Sequence, residues 1–150
     1  MKRNVEVSVT GIHSREGEPT EKVESLAAGI YELLEDGSFI VEYDEEQDTG
    51  VGSMKVHNRV HIGADGRKME IVRGGATTST LTFAEDLEYD TEYATPYGTM
   101  LMKVKTKSFD FTKVGGDEEI KLVADYDLEI EGQVVSSSMI VIDIKNAVAS

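Results

Sequence analysis

The sequence contains no cysteine, no tryptophan and only two prolines among its 150 residues. Without cysteine the chain can form no disulfide, no thiolate metal site and no cysteine nucleophile. The absence also fits a reducing compartment, so we expect a cytoplasmic protein. No apolar stretch approaches the ~20 residues of a membrane span, and the N-terminal MKRNVEVSVTG lacks the apolar core of roughly 7–15 residues that a signal peptide needs.

Basic residues are scarce. The chain has 15 lysines and arginines against 29 acidic residues, a formal net charge of −14. Such a charge repels phosphate backbones and anionic lipid, so we expect neither nucleic acid nor membrane as a partner. It also favours solubility, which is its simplest interpretation. The length suits one domain over residues 1–150, and no linker, internal repeat or low-complexity segment divides it.

What the sequence does contain is period-two alternation of apolar and polar residues. Val5, Val7 and Val9 alternate with polar neighbours, and the pattern is clearest from Ile120 to Ile130. Glycine-containing turn signals separate these runs at 35–38, 64–67 and 131–133. Many strands on short turns, without the spacing of βαβ units, predict an all-β antiparallel barrel or sandwich.

One segment has a helical pattern instead. In PTEKVESLAAGIYELLEDG, apolar residues recur at helical spacing from Val23 to Leu34, Thr20 could cap the N-terminus, and Gly37 could end the helix. Periodicity alone therefore predicts a helix over residues 21–34.

A proline lies between two alternating runs in EYATPYGTMLMKVKT, residues 92–106. Proline presets φ for the second position of a β-turn, and Gly98 suits the fourth. The TPYG sequence at 95–98 therefore predicts a connection or sharp bend between two strands, placed where the ladder needs no N–H donor.

These pieces resemble the YwiB-like family of uncharacterised bacterial proteins, a domain of unknown function with a calycin-like, lipocalin-like barrel. The resemblance rests on an ordered set of segments across nearly the whole chain: YDEEQDTG at 43–50, VRGGA at 72–76, EYATPYGTMLMKVKT at 92–106 and ADYDLEIEG at 124–132. It implies a single antiparallel barrel of about eight to ten strands with little or no helix. It also implies that KVESLAAGIYELLEDG is a strand, and we adopt that interpretation because tertiary pairing overrides local pattern.

The sequence departs from lipocalins and from the family pattern at two places. The Gly-x-Trp signature of the lipocalin entrance is missing, which weighs against extracellular transport. The segment GADGRK at 63–68 looks like an inserted hairpin tip. The resemblance implies a fold and leaves the function open.

Arg73 is the first candidate ligand-binding residue. It keeps phase with Met69 and Ile71, so its side chain is predicted to point inward, and Gly74 and Gly75 follow it. A guanidinium at a barrel mouth can hold a carboxylate or phosphate with two hydrogen bonds. Equally, an arginine at a strand end can reach water or pair with a nearby carboxylate for purely structural reasons.

Four hydroxyl-bearing residues complete the predicted site: Tyr126, Tyr43, Thr106 and Tyr97. Ligand sites in barrels are mostly apolar with a few placed polar groups. The same tyrosines could simply fill sheet faces.

Other chemistry has less support. The acidic run at 42–48 lacks the spacing of a calcium loop and is interpreted as a solvated acidic loop. His57 and His61 would stand about 13 Å apart in a strand and could not share an ion. No serine motif for nucleophilic catalysis, P-loop or dinucleotide fingerprint occurs, so we predict no metal and no cofactor.

Three functions remain open at this stage. The first is a barrel that binds a small anionic or amphipathic ligand at or inside its mouth. The second is an enzyme in which Arg73 polarises an oxyanion while a tyrosine or glutamate moves a proton. The third is a solid barrel, filled by flexible methionines, that acts through its surface or as a homodimer.

Overall fold

The computed structural model describes residues 2–15, 17–48, 52–74, 78–95, 98–115 and 119–146, which form ten β-strands and no helix. None of these residues belongs to a helix that could cross a membrane. The strands are β1 (Lys2–Ser14), β2 (Glu21–Leu33), β3 (Phe39–Asp48), β4 (Ser53–Ile62), β5 (Lys68–Gly74), β6 (Thr78–Ala84), β7 (Glu88–Thr95), β8 (Gly98–Val114), β9 (Glu119–Ile130) and β10 (Gln133–Asn146).

All ten strands belong to one antiparallel sheet in the order β6-β5-β4-β3-β2-β1-β10-β9-β8-β7. The sheet curls until its edge strands β6 and β7 lie near each other. The turn between them is fixed to β8, because the Asp86 amide donates to the Thr106 carbonyl at 3.2 Å and the Thr106 amide donates to the Leu87 carbonyl at 2.9 Å. The result is a nearly closed barrel, which confirms the predicted all-β, calycin-like architecture.

The helix predicted from periodicity is wrong, and the strand implied by the family resemblance is right. Residues 21–33 form β2, which pairs along its length with β1. The apolar stripe is therefore divided between the two faces of the sheet. Tyr31 is fully buried inside, whereas Leu26 and Ile30 point outward and are 68% and 49% exposed. The burial of Tyr31 and the pairing of β2 with both β1 and β3 outweigh the small preference of these residues for a helix over a strand.

One end of the barrel is filled with side chains. It lies where β1 begins and β10 ends, and its residues, including Val7, Tyr31 and Phe83, are completely buried. Fully burying one such side chain contributes on the order of 1.5–3 kcal/mol. At the rim of this end, the Arg3 guanidinium lies 4.4 Å from the centroid of the Tyr31 ring. The filled end is therefore the main hydrophobic core.

Two β-bulges change which side chains face inward. One adds Lys107 to β8 between Thr106 and Ser108, and the other adds Val135 to β10 between Val134 and Ser136. A bulge places two residues opposite one and resets the alternation. On β8 the inward positions therefore change from Val104 and Thr106 before the bulge to Phe109 after it, and all three side chains are buried.

The predicted turns are confirmed where the structure describes them. Gly37 and Gly66 have φ values of 89° and 68° in the turns after β2 and β4, a region that favours glycine. The GADGRK segment forms the β4–β5 hairpin tip. Thr95 of β7 pairs with Gly98 of β8, as the TPYG sequence predicts, while Pro96 and Tyr97 lie outside the described residues.

Candidate ligand cavity

The barrel wall is open between β2 and β3 at the end opposite the filled core. The ladder between these strands runs only from Gly29 to Leu33 of β2. Among the described residues, 21–28 pair with β1 and 44–48 pair with β4, but not with each other. We call this gap the open seam. Gly29 stands where the seam closes, because a Cβ there would lie 2.9 Å from the Glu42 carbonyl oxygen.

A cavity of about 560 Å³ lies beneath the open seam. Its wall combines apolar side chains with a group of polar ones. The lining residues are Val9, Gly11, His13, Val23, Glu24, Ser25, Tyr43, Glu45, Glu46, Asn58, Ile71, Arg73, Leu81, Tyr126 and Ile140. The volume falls within the range of roughly 300–1,000 Å³ that is typical of small-molecule sites. The barrel is thus solid at one end and hollow at the other.

Arg73 points inward, as predicted, and forms an ion pair with Glu45. Its Nη2 donates to Glu45 Oε1 at 2.5 Å, and its Nε donates to Asn58 Oδ1 at 3.1 Å. Asn58 Nδ2 donates to the same Glu45 oxygen at 3.0 Å. The three side chains come from β5, β3 and β4, so they form a closed hydrogen-bonded triangle. The guanidinium is held in one orientation, and its charge is balanced.

Both cavity tyrosines are neutral phenols. Burial raises the pKa of Tyr43 to about 12, the Glu45 carboxylate adds to the increase, and the Arg73 guanidinium opposes it. Burial also raises the pKa of Tyr126, while a hydrogen bond with Ser138 and the charge of Arg73 act in the opposite direction. Near neutral pH each hydroxyl therefore keeps its proton and can donate a hydrogen bond.

A hydrogen-bonded chain runs from Tyr126 to the cavity mouth. Tyr126 bonds to Ser138, its neighbour across the β9–β10 ladder. Ser138 Oγ lies 2.8 Å from His13 Nδ1 on β1. Gly11, two residues earlier on β1, leaves room for the imidazole, because a Cβ at that position would lie 3.2 Å from His13 Nε2. The chain fixes the phenol and the imidazole relative to each other.

Thr106 lies opposite Tyr126 in the ladder between β8 and β9 but does not line the cavity. It is 1% exposed, and its hydroxyl has no hydrogen-bond partner among the described residues. Leaving such a group unpaired costs on the order of 1–3 kcal/mol. The structure thus brings Arg73, Tyr43 and Tyr126 together and places Thr106 beside them, while Tyr97 lies outside the described residues.

The acidic run at 42–48 is not a loop, which corrects the sequence interpretation. It belongs to β3, where Glu42 and Asp44 point outward and Glu45 points into the cavity with its side chain 20% exposed. Extending the alternation of Phe39, Val41 and Tyr43 by one step would have placed Glu45 inside. The sequence therefore held a clear signal for this missed site residue.

The sequence interpretation also missed three further cavity-end residues: Asn58, His13 and Ser138. Asn58 keeps phase with the buried Val56 and Val60 of β4, so alternation would have placed it inside, whereas His13 and Ser138 are 125 positions apart in the chain. His13 and Ser138 meet because the β1–β10 register pairs them directly. That register depends on closure of the sheet through its first and last strands, which local patterns do not specify.

The two histidines considered for metal binding both lie in β4. His57 points outward, and its Nδ1 lies 2.7 Å from Asp44 Oδ1. Within the part of the chain that the structure describes, no group of three or more histidine and acidic side chains is arranged to hold a metal ion. The outward lysines of β8 are also paired, since Lys105 contacts Glu88 and Lys107 contacts Asp127.

The fold and its half-hollow interior define a small antiparallel β-barrel of the calycin-like class. A family model described as "Domain of unknown function (DUF1934)" matches residues 7–142, and the chain belongs to this family. Among solved structures, it is similar to the crystal structure of the ywiB protein from Bacillus subtilis. The TM-score is 0.80 at 19% identity, covering 98% of this chain and 94% of that one. No curated protein matches the sequence.

Proposed function

We propose that this protein binds a small amphipathic ligand in the cavity beneath the open seam, in the cytoplasm. The observation that supports this most directly is the contrast between the two ends of the barrel. One end is filled by fully buried side chains, whereas the other encloses about 560 Å³. A protein that needed only a stable core would gain by filling this space, since unfilled volume costs stability.

The composition of the wall supports an amphipathic ligand. Ile71, Leu81 and Ile140 offer apolar surface, while Arg73 and Tyr126 are polar. Apolar surface contacts the apolar part of a ligand, and fixed polar groups orient its polar part. A purely anionic ligand, the other kind that the sequence predicts, is less favoured, because Glu45 already neutralises the Arg73 guanidinium.

Ligand binding explains the two cavity tyrosines better than proton transfer in an enzyme does. A tyrosine that works as a general acid or base gains from a pKa close to the operating pH. Burial moves the pKa values of Tyr43 and Tyr126 the other way, above the ordinary value of 10. Neutral phenols are good hydrogen-bond donors and poor proton carriers. Homodimerisation stays a prediction, which sedimentation measurements can check.

Native mass spectrometry of protein purified gently from bacterial cytosol tests the proposal. We expect an added mass that disappears on denaturation. Leu81→Trp should take up part of the cavity and reduce the fraction of protein that carries that mass, whereas Leu101→Trp makes the same change at a side chain that is 64% exposed and should leave that fraction unchanged.

A second variant guards against misfolding of the first. Ser25→Trp places the indole at the open seam, where it should block entry without crowding the filled core. Circular dichroism would verify that each variant folds. No adduct in the native protein, together with no change on exposure to a metabolite extract, would refute the proposed function.

A further inference from the structure

The Arg73–Glu45 pair places one positive and one negative charge side by side in the cavity wall. Their side chains are 35% and 20% exposed, so both charges are accessible from the cavity. Arg73 uses two of its N–H groups on Glu45 and Asn58. A guanidinium has five N–H donors and a carboxylate has about four acceptor positions. Each partner therefore has capacity left for a ligand.

We infer that the ligand has a zwitterionic head group, a carboxylate and an ammonium close together as in an amino acid, joined to an apolar side chain. This inference rests on the proposed function. The ligand carboxylate would accept hydrogen bonds from Arg73, and the ammonium would donate to Glu45. The four charges would then alternate in sign around a ring, so neither protein charge loses its partner.

Ligands with a single charge fit the same pair less well. An anion would gain from Arg73 but would be repelled by Glu45, and a cation would experience the reverse. Separating the two protein charges to favour either one would leave a partly buried charge uncompensated, which is costly. The overall charge of −14 further disfavours an anion.

The surroundings of the ion pair suit the rest of such a molecule. The neutral phenols of Tyr43 and Tyr126 both lie close enough to Arg73 to feel its charge, and both can donate to a ligand carboxylate. Val9, Leu81 and Ile140 line the cavity and would contact the apolar side chain. The cavity thus offers charge complementarity at the ion pair and apolar surface on Val9, Leu81 and Ile140, beside the polar lining that Glu24, Glu46 and His13 contribute.

Four probes that share one branched alkyl group test the inference: leucine, isocaproate, isoamylamine and isoamyl alcohol. Binding is followed by NMR chemical-shift titration of the wild-type protein. We expect leucine to bind at least about tenfold more tightly than each of the others, which corresponds to ~1.4 kcal/mol. In the double variant Arg73→Met/Glu45→Gln that preference should vanish, so that leucine binds no more tightly than isoamyl alcohol.

The matched control removes an ion pair on the outer surface. Lys105→Met/Glu88→Gln should keep the preference for leucine, because that pair lies on outward positions of β8 and β7. The inference is overturned if isocaproate or isoamylamine binds more tightly than leucine, and also if all four probes bind equally. Either result leaves the proposed function standing. If none binds, the inference is refuted, and the proposed function falls only if native mass spectrometry also shows no added mass.

Discussion

The Arg73 guanidinium and the Glu45 carboxylate meet over an intervening strand, with Nη2 and Oε1 2.5 Å apart. Arg73 lies in β5 and Glu45 in β3, and Asn58 of β4 bonds to both. Three neighbouring strands are thereby linked through their side chains at the hollow end of the barrel, where few apolar contacts hold them. The pair has a structural role as well as the proposed binding role, and the two roles can be separated by measurement.

We expect the two side chains to couple in a double-mutant cycle of Arg73→Met and Glu45→Gln. Because the pair is partly exposed, the coupling should be about 1 kcal/mol in the free energy of unfolding. Arg73→Met alone should cost more than the double variant, since it leaves the carboxylate without its cation. Urea unfolding of the four proteins measures the coupling.

The cycle for Lys105→Met and Glu88→Gln is the control and should give a coupling near zero, because that pair is about half exposed. Equal couplings in the two cycles would show that the inward pair has no special structural role. Complete unfolding of Arg73→Met would make Arg73 a structural residue first, and would count against its use as a ligand anchor.

Gly29→Ala should destabilise the barrel by about 1–3 kcal/mol. The added Cβ would lie 2.9 Å from the Glu42 carbonyl oxygen and 3.0 Å from Val7 Cγ2, and neither can move easily within a paired sheet. Gly74→Ala is the matched control, because a Cβ there meets nothing within 4 Å. Urea unfolding should show little change for Gly74→Ala, and equal stability of the two variants would contradict the close approach of β2 and β3.

Stability should fall as pH rises from 10 towards 12, in part because of Tyr43. Its pKa is about 12 in the folded protein against 10 as a free side chain. Between these values the unfolded chain loses the proton while the folded protein keeps it, so unfolding is favoured as pH rises. The full shift corresponds to roughly 2–3 kcal/mol.

The Tyr43→Phe variant isolates this contribution. Its free energy of unfolding should decline less steeply over the same pH interval, whereas below pH 10 the two slopes should agree. Absorbance titration of the folded protein should also show one late-titrating phenol fewer in the variant. If the free energy of unfolding falls equally steeply with pH above 10 in the variant and the wild type, Tyr43 ionises as freely in the folded protein as in the unfolded chain.

Ser138→Ala should cost about 1–3 kcal/mol, because the buried Tyr126 hydroxyl loses its partner. His13 Nδ1 loses its 2.8 Å contact in the same variant. Ser137→Ala changes the adjacent, exposed serine of β10 and should alter stability by less than about 0.5 kcal/mol. Thermal unfolding compares the two variants, and similar losses would show that the chain from Tyr126 to His13 contributes nothing to stability.

The sequence alone determined the fold class and much of the inside–outside pattern. Alternation placed Val104 and Thr106 of β8 and Leu122 and Tyr126 of β9 in the interior, and all four are buried. The period of two follows from strand geometry, so it needs no tertiary information. Arg73 was predicted to face inward on the same ground.

Only the tertiary structure decided the remaining features. Residues 21–33 are a strand because they pair with β1 and β3. The stabilisation that comes from this pairing depends on distant segments of the chain, so no local sequence pattern reveals it. The bulges at Lys107 and Val135 reset the alternation without a sequence signal. The contacts of Arg73 with Glu45, and of Ser138 with His13, depend on strand register across the closed barrel, and closure is a property of the whole sheet.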